Sequence, residues 1–464
     1  MNRGDASRPR GTKVLRWIPW IAIPGLGGFW AAYGLRHTYF FYDEWSMIDR
    51  VVRLPFWAGT TSSFNGHLWM LQYWLYRAQT SWFGVDDNTF IKVVFICALI
   101  VLHVAIASVL RGSGIPTVTS LLLAALLTYL GVASQNFLFA VQVSPTLSLA
   151  LGVAATALVL TQRASLPMCI AVGTLTSFAV GVDSGTAIIG VTLVAVAVVI
   201  SWRGLPTLAV APGALALVWW YLAGDLGPPF PADLRTRFAF GGHLLLRAVG
   251  GLAGRTETAG LVLLIVAVSV IAFAGWRRWI TGPPFVMLIA GTTATAAVTI
   301  ALSQSRAGMA SFNFVDFNRY LQSVALPFVL AVAPVIGIVL RRIGVRTGGA
   351  GFRTTRFLAG VAVPGILATA FVSGLAPMRS YARGFVGWNQ AVRERVRSAA
   401  SIAATGCPSG KAPDPASLPA GDLSPQISTQ LIIELLRRNA LRPSPALVAD
   451  AGVVARMCPV DASR

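Results

Sequence analysis

Two adjacent carboxylates, Asp43 and Glu44, follow the first hydrophobic stretch of the chain and stand among aromatic residues, in the run Tyr39-Phe40-Phe41-Tyr42-Asp43-Glu44-Trp45. A carboxylate can take the proton of an attacking hydroxyl group, and neighbours that exclude water make it a stronger base. Because adjacent side chains diverge in a helix or strand, we expect Asp43 to be the base and Glu44 to orient groups, bind an acceptor or bind a metal. The alternative is an interfacial aromatic belt whose acids only mark the outer end of a membrane span.

A base of this kind suits sugar transfer from a phosphate leaving group, because phosphate departs without a general acid. The reaction also needs cations, and guanidinium groups bind phosphate oxygens bidentately and stabilise the developing charge. Arg306 and Arg319 are the candidates, with Tyr320 beside Arg319 at the start of an apolar stretch. Snorkelling of Arg319 to the lipid headgroups is the alternative for that residue.

Four further polar residues are candidates for contacts with a sugar or an acceptor: Asn65, His67, Asn136 and Gln142. The first two precede an aromatic run at 68–77 that predicts a helix lying in the outer membrane interface, and His67 alternatively caps that helix. The other two lie among aromatic residues at membrane depth, where polar groups are costly unless they face a cavity.

The composition identifies the class of protein in which these residues must act. Of 464 residues, 55% are hydrophobic and 12% are charged, and the mean hydropathy of +0.68 excludes a soluble domain. Apolar runs of about 20 residues cross a bilayer, and we expect an all-α polytopic membrane protein with about eleven transmembrane helices. The expected spans are 17–35, 89–110, 117–133, 146–161, 166–182, 186–202, 205–223, 259–275, 283–302, 320–340 and 357–374. The first lacks a small-residue cleavage site, which favours a retained anchor over a removed signal peptide.

The basic residues of the short loops predict the orientation. With the basic N-terminal segment 1–16 on the cytoplasmic side, alternating spans place Arg111, Arg163, Arg277 and Arg341 there too, and Asp5 is the only acidic residue on that side. This segregation accounts for the net charge of +20 and excludes nucleic acid as a partner; membrane lipids are the partner that it favours. We therefore expect a multi-pass protein of the cytoplasmic membrane with an exterior C-terminus.

The orientation also restricts the chemistry. The cytoplasmic loops carry too few polar residues for an active site, whereas the exterior loop 36–88 contains the acidic pair. Nucleotide sugars are not normally available outside the membrane, so a transferase there needs a membrane-borne donor such as a polyprenyl-phosphate sugar. No zinc-binding spacing, phosphate-binding loop or nucleophile elbow is visible, and we expect no certain cofactor; a divalent cation stays an open alternative.

The segment 375–464 is expected to form a small exterior tail with helices at 379–404 and 428–439, joined by a linker at 406–426. Cys407 and Cys458 are the cysteines outside the spans. Because the exterior compartment is oxidising, we expect them to form a disulfide.

The acidic pair after the first span, the Asn65-Gly66-His67 motif and the late Arg319-Tyr320 pair resemble the GT-C superfamily of polyprenyl-phosphate-sugar glycosyltransferases, which includes protein O-mannosyltransferases and arabinosyltransferases. Segments 134–143 and 177–181 look like parts of a bacterial branch of that group. The resemblance covers 17–340 and implies an inverting hexosyl- or pentosyltransferase with a glycan, lipid or protein acceptor. Asp43 and Glu44 match the family's catalytic acids, and Arg306 or Arg319 matches its phosphate contacts. The first loop lacks Asp-x-Asp, which weakens the case for a metal-dependent arabinosyltransferase.

Two other classes stay open. A transporter or a lipid or glycan flippase also has many spans, but coupled transport usually places ionisable residues within them, whereas these acids cluster in exterior loops. A noncatalytic envelope-assembly protein would leave the acidic pair without a chemical role. The domain organisation expected in all cases is a basic segment 1–16, a transmembrane domain 17–374 and the exterior tail 375–464.

Overall fold

A computed structural model describes residues 17–40, 42–64, 66–129, 136, 139–202, 206–223, 232–253, 256–308, 318–346, 382–443 and 450–458. These residues form helices, with a single isolated antiparallel bridge between Phe64 and His67 as their only β-pairing. The part of the chain that is described is therefore all-helical, as the sequence predicts.

The helices fall into a bundle and a cap at one end of it, which we call the outer cap after the orientation expected from the sequence. The first loop contributes α2 (Tyr42–Arg53), α3 (Phe56–Thr61) and α4 (Met70–Ala78), the last followed by a π-helical turn at Gln79–Phe83. The tail contributes α15 (382–405), α16 (Thr429–Arg437) and α17 (Ala451–Met457). The bundle consists of α1 (Ile18–Leu35), α5 (Thr89–Gly112), α6 (Thr117–Tyr129), α7 (Val143–Thr161), α8 (Leu166–Val182), α9 (Ser184–Ser201), α10 (Pro206–Ala223), α11 (Leu234–Gly250), α12 (Glu257–Trp276), α13 (Pro283–Arg306) and α14 (Asn318–Arg346).

Among the described residues, six stretches are long and apolar enough to cross a membrane: Thr89–Gly112, Ala140–Thr161, Ser184–Ser201, Glu257–Trp276, Pro283–Arg306 and Tyr320–Arg342. Shorter apolar helices lie at Thr117–Tyr129, Leu166–Val182 and Leu208–Leu222. The chain is thus a polytopic membrane protein. The expected spans from 17–35 to 320–340 each coincide with a helix, and the expected span 357–374 lies outside the described residues.

Helices α7 and α9 approach each other closely because each has a glycine at their contact. A Cβ atom on Gly152 would lie 2.3 Å from the Cα atom of Gly190, which leaves no room for a side chain. Both helices begin at the outer cap, since Ser144 at the start of α7 donates to Gln72 of α4 and Ser184 at the start of α9 accepts from Leu68 N. The bundle therefore presents the starts of α7 and α9 to the first loop.

The outer cap shares a hydrophobic core with the adjoining ends of α1, α5 and α6, and this core joins the first loop to the tail. Buried side chains of α2 and α4 pack there with buried residues of all three tail helices. Tyr39 N donates to Asn389 Oδ1 of α15 at 3.2 Å, and the Arg393 guanidinium donates to Asp86 O at 2.9 Å. The tail is therefore part of the wall around the acidic pair.

The structure joins Cys407 and Cys458 in a disulfide, the pairing that the sequence predicts, and α17 is a tail helix that it did not predict.

Helix α4 differs from the prediction for 68–77. It begins at Met70 and buries Gln72, Tyr73 and Tyr76 completely or nearly so, with α2, α3 and α8 packed around it. Tyr73 and Tyr76 therefore face other parts of the protein, whereas Trp74 is half-buried, and the position of α4 in the membrane interface stays a prediction. Since apolarity all round a helix predicts burial but not the nature of the surroundings, the sequence alone did not distinguish protein from lipid here.

Candidate functional site

Glu44 is a buried hydrogen-bond acceptor in the first turn of α2. Its side chain is 1% exposed, and the Tyr76 hydroxyl group donates to its Oε1 atom. Burial, and then the charge of Glu44, raise the pKa of Tyr76 well above its usual value, so this phenol keeps the proton that it donates. Lys92 at the start of α5 interacts electrostatically with Glu44 and donates to Thr38 O at 2.6 Å. Glu44 is thus fixed within the protein.

Asp43 has a different environment although it is the next residue. It lies in the same first helical turn, where the helix dipole favours a negative charge, but it is half-buried rather than enclosed. Its neighbour Tyr42 stacks on Trp388 of the tail at a ring distance of 5.3 Å. The adjacent acids therefore point to different surroundings, as expected for neighbours on a helix, and Asp43 is the accessible one.

The aromatic residues near the acids form core rather than a belt. Tyr39, Phe40 and Trp45 are 4%, 0% and 0% exposed, and their rings meet edge to face at 5.1 to 5.9 Å. The Tyr39 hydroxyl group donates to Val85 O at 2.6 Å, and burial raises the pKa of Tyr39 above its usual value. The rings therefore exclude water from one side of the acidic pair; Phe41 lies outside the described residues.

His67 contacts a carboxylate that the sequence analysis did not select, Asp183 in the break between α8 and α9. The Nδ1 atom of His67 lies 3.4 Å from Asp183 Oδ1, and the same oxygen accepts from Trp69 Nε1 at 3.1 Å. Gly185 N donates to it at 3.0 Å, and the Thr186 hydroxyl group donates to Oδ2. Asp183 is 2% exposed, whereas the His67 side chain is 29% exposed. The pair joins the first loop to the bundle.

The charge of Asp183 is stabilised by these neighbours. Burial raises the pKa of this carboxyl group, but His67 and the hydrogen bonds from Thr186 and Gly185 lower it more, so that it lies below its usual value. Asp183 also accepts from the first turn of α9 as its N-cap, which is a structural role in its own right. An ionised carboxylate beside a partly exposed imidazole can orient that ring and support proton transfer. The feature of the sequence that could have identified Asp183 is its position as a lone acidic residue between two apolar stretches.

The described residues just before α7, Asn136 and 139–142, contact the helices of the bundle. Asn136 donates through Nδ2 to Gln322 Oε1 at 2.5 Å, and Gln322 donates to Leu127 O at 2.9 Å. Gln142, which is 9% exposed, precedes α7, whose Ser144 hydroxyl group donates to Gln72 Oε1 at 2.8 Å. These amides lie in protein surroundings at the outer end of the bundle, and Asn136 is near the start of α14.

The candidate phosphate-binding residues occupy the neighbouring helix ends. Arg306 lies in the last turn of α13 and Tyr320 in the first turn of α14, and both are half-buried. The side chain of Arg319 and residue Asn65 lie outside the described residues. Within the described ranges, no group of three or more histidine, cysteine or acidic side chains comes together to hold a metal ion.

An apolar groove of about 580 Å³ runs between α4, α8 and α10, lined among others by Met70, Trp74, Ile170, Phe178, Gly181 and Pro212. One end lies at Met70 and Gly181, which are three and two residues from His67 and Asp183. Ile170 and Phe178 are 57% and 55% exposed on α8, so the groove faces the lipid side of the bundle. An apolar lining of this kind suits an apolar ligand such as a hydrocarbon chain.

The described residues form three polar groups at the outer end rather than one complete cluster. They are the Asp43, Glu44 and Tyr76 group, the His67 and Asp183 pair, and the amides Asn136, Gln142 and Gln322. Helix α4 connects them, because Tyr76 contacts the first, Trp69 before its start contacts the second, and Gln72 contacts Ser144 beside the third.

The fold defines a polytopic helical membrane protein, and these groups place acidic side chains in its cap. No known family's sequence model matches the chain, and no curated protein matches it significantly.

Proposed function

We propose that this chain is an integral-membrane glycosyltransferase of GT-C-like architecture, with about eleven spans and its site on the exterior face. It moves a sugar from a polyprenyl-phosphate donor to a cell-envelope acceptor, a glycan, a lipid or a protein. The observation that carries the proposal is the division of the acidic pair: Glu44 is enclosed and bonded to Tyr76, while Asp43 is left half-buried at the start of α2.

Asp43 acts as the general base in this reaction. The acceptor hydroxyl oxygen forms a bond to the anomeric carbon while the bond from that carbon to the phosphate oxygen breaks, and the hydroxyl proton passes to Asp43. Polyprenyl phosphate leaves with the electron pair, and a single displacement inverts the anomeric configuration. Glu44, held by Tyr76, fixes the first turn of α2 and thereby orients its neighbour.

The groove supports a lipid-linked donor. A polyprenyl chain is an apolar chain that reaches the protein through the bilayer, and the groove presents exposed apolar side chains on that route. In this proposal the donor phosphate meets Arg306, Arg319 and Tyr320, and the sugar or acceptor meets Asn65, His67, Asn136 and Gln142. Asp183 holds the imidazole of His67 in place.

A lipid flippase is the second candidate, because the same groove would serve a lipid that crosses the bilayer without reacting. The two activities are separated by incubating the purified protein with labelled polyprenyl-phosphate sugars and candidate acceptors, in detergent and in vesicles. We expect covalent transfer to an acceptor in detergent, abolished by Asp43→Asn. Movement of the labelled lipid between leaflets, with no transferred sugar and no effect of Asp43→Asn, would support the flippase.

A further inference from the structure

A second cavity, of about 550 Å³, lies at the other end of the bundle. It is open to the surroundings and is bordered by the ends of α7 and α9 and the start of α13, with Gln162, Arg163, Ser201, Trp202, Gly282 and Phe285 among its lining residues. It is separate from the apolar groove and shares no lining residue with it. None of the residues proposed for sugar transfer lines it.

The lengths of α7 and α9 give the depth of this cavity. The 19 residues of α7 and the 18 residues of α9 run from the outer cap to the cavity. At 1.5 Å per residue, each helix spans about 27 Å, close to the thickness of a hydrocarbon core. The cavity therefore lies at the level of the lipid headgroups in the leaflet opposite the acidic pair.

Two hydrogen-bond donors in the polar lining, Arg163 and Trp202, lack partners in the described part of the protein. Arg163 is exposed in the turn between α7 and α8 and makes no ion pair there. Trp202 is 3% exposed, and its Nε1–H group has no acceptor among the described residues. An indole nitrogen is only a donor, so a ligand that satisfies it must supply an acceptor oxygen.

The charge around the cavity has one sign. The turns at 162–165 and 277–282 contain Arg163, Arg277 and Arg278 and no acidic residue. Its other walls are apolar, formed by Val159, Leu160, Ile200, Phe285 and Val286, and Phe285 is 42% exposed. A ligand that matches both features carries an anionic phosphate and a hydrocarbon chain.

We propose that this cavity binds the phosphate headgroup of an anionic membrane phospholipid in the leaflet opposite the acidic pair. The Arg163 guanidinium and the Trp202 Nε1–H group donate to the phosphate oxygens, and the acyl chains lie against the apolar walls. A free phosphate or a nucleotide leaves those walls uncovered, and an uncharged lipid leaves Arg163 without a counter-charge.

The test is native mass spectrometry of the full-length protein in detergent, with phosphatidylglycerol or diacylglycerol, which has the same acyl chains and no phosphate, added at equal concentration. Arg163→Gln removes the charge, Trp202→Phe removes only the indole N–H group, and Arg342→Gln is the matched control, an exposed arginine in the last part of α14. We expect wild type and Arg342→Gln to bind phosphatidylglycerol in preference to the other lipid. Arg163→Gln lowers that preference about tenfold and Trp202→Phe lowers it less, since the guanidinium group adds the attraction between opposite charges to its hydrogen bonds.

Three results would overturn the assignment. Equal binding of both lipids by wild type would show that the cavity does not contact the phosphate headgroup. Equal losses of lipid preference in Arg163→Gln and Arg342→Gln would indicate diffuse electrostatic attraction to the protein surface. Displacement of the lipid by millimolar inorganic phosphate would assign the cavity to free phosphate. Arg163→Lys, which keeps the charge, distinguishes a lost contact from a folding defect and is expected to retain most of the preference.

Discussion

The hydroxyl group of Tyr76 donates a hydrogen bond to the carboxylate of Glu44, and both side chains are buried. These residues are separated by 32 positions, on α4 and α2. The contact gives Glu44 a partner inside the protein and leaves Asp43 as the accessible member of the acidic pair.

Tyr76→Phe is expected to destabilise the protein. It leaves a buried carboxylate without this donor, at a cost of about 2 to 3 kcal/mol in the free energy of unfolding. Glu44→Gln in the same background replaces the charge with an amide and should recover part of the loss. Thermal unfolding of the two single variants and the double variant in detergent measures the coupling; additive effects would show that the contact contributes nothing.

Asp183→Asn tests the pair with His67 through pH. The pKa of Asp183 is lower in the folded protein than its usual value of 3.8. Its carboxylate therefore stabilises the folded state, and this stabilisation is fully present when the pH is above 3.8. This contribution is lost as the pH falls through the lower folded pKa. Wild type should therefore lose stability relative to Asp183→Asn below about pH 4, while above it the variant is the less stable by about 2 kcal/mol. Parallel pH profiles of thermal unfolding would contradict this assignment.

Much of the bundle is predictable from the sequence, because a long apolar run is stable only in a nonpolar environment and can therefore be recognised without knowledge of the rest of the fold. The 24 residues of Thr89–Gly112 are long and apolar enough to cross a bilayer whatever their neighbours are. The contacts around the site are not predictable in this way. Trp69 and Asp183 are 114 positions apart, and Tyr39 and Asn389 are 350 apart, so no local pattern relates them.

The dependence on long-range contacts also explains which site residues the sequence could identify and which it could not. Asp43 and Glu44 were recognisable from their adjacency, but their different burial depends on Tyr76, and the role of Asp183 depends on a loop that packs from elsewhere. Sequence spacing gave the candidates, and long-range packing distinguishes them.

The disulfide between Cys407 and Cys458 should stabilise the tail against local unfolding. It links residues 51 positions apart, and closing a loop of that length corresponds to about 4 kcal/mol. In the double variant Cys407→Ser and Cys458→Ser, we expect faster hydrogen exchange across α15 and α16. Unchanged exchange, or free thiols at both positions in the unreduced wild type, would show that the disulfide does not hold the tail.

Gly181→Leu tests the groove as the site of the donor chain. A Cβ atom at Gly181 meets only Met70 Sδ at 3.5 Å, an ordinary contact, so Gly181→Ala is a control that the site accommodates. Leucine places further carbon atoms in the groove and should raise the KM for a long-chain donor about tenfold, the equivalent of roughly two buried methylene groups. Donors with a short chain should change less than twofold. An equal effect on both donors would contradict a chain-binding role.

The most direct measurement of the central claim is kcat for sugar transfer by wild type, Asp43→Asn and Asp49→Asn. Asp49 is on the same helix and pairs with Arg53 at 2.7 Å, so its variant reproduces the loss of a carboxylate from α2. A general base contributes about 100- to 10,000-fold, and Asp43→Asn should lower kcat by that factor with unchanged thermal unfolding, while Asp49→Asn stays within about twofold. Transfer by Asp43→Asn at the wild-type rate would contradict the role of Asp43 as the base.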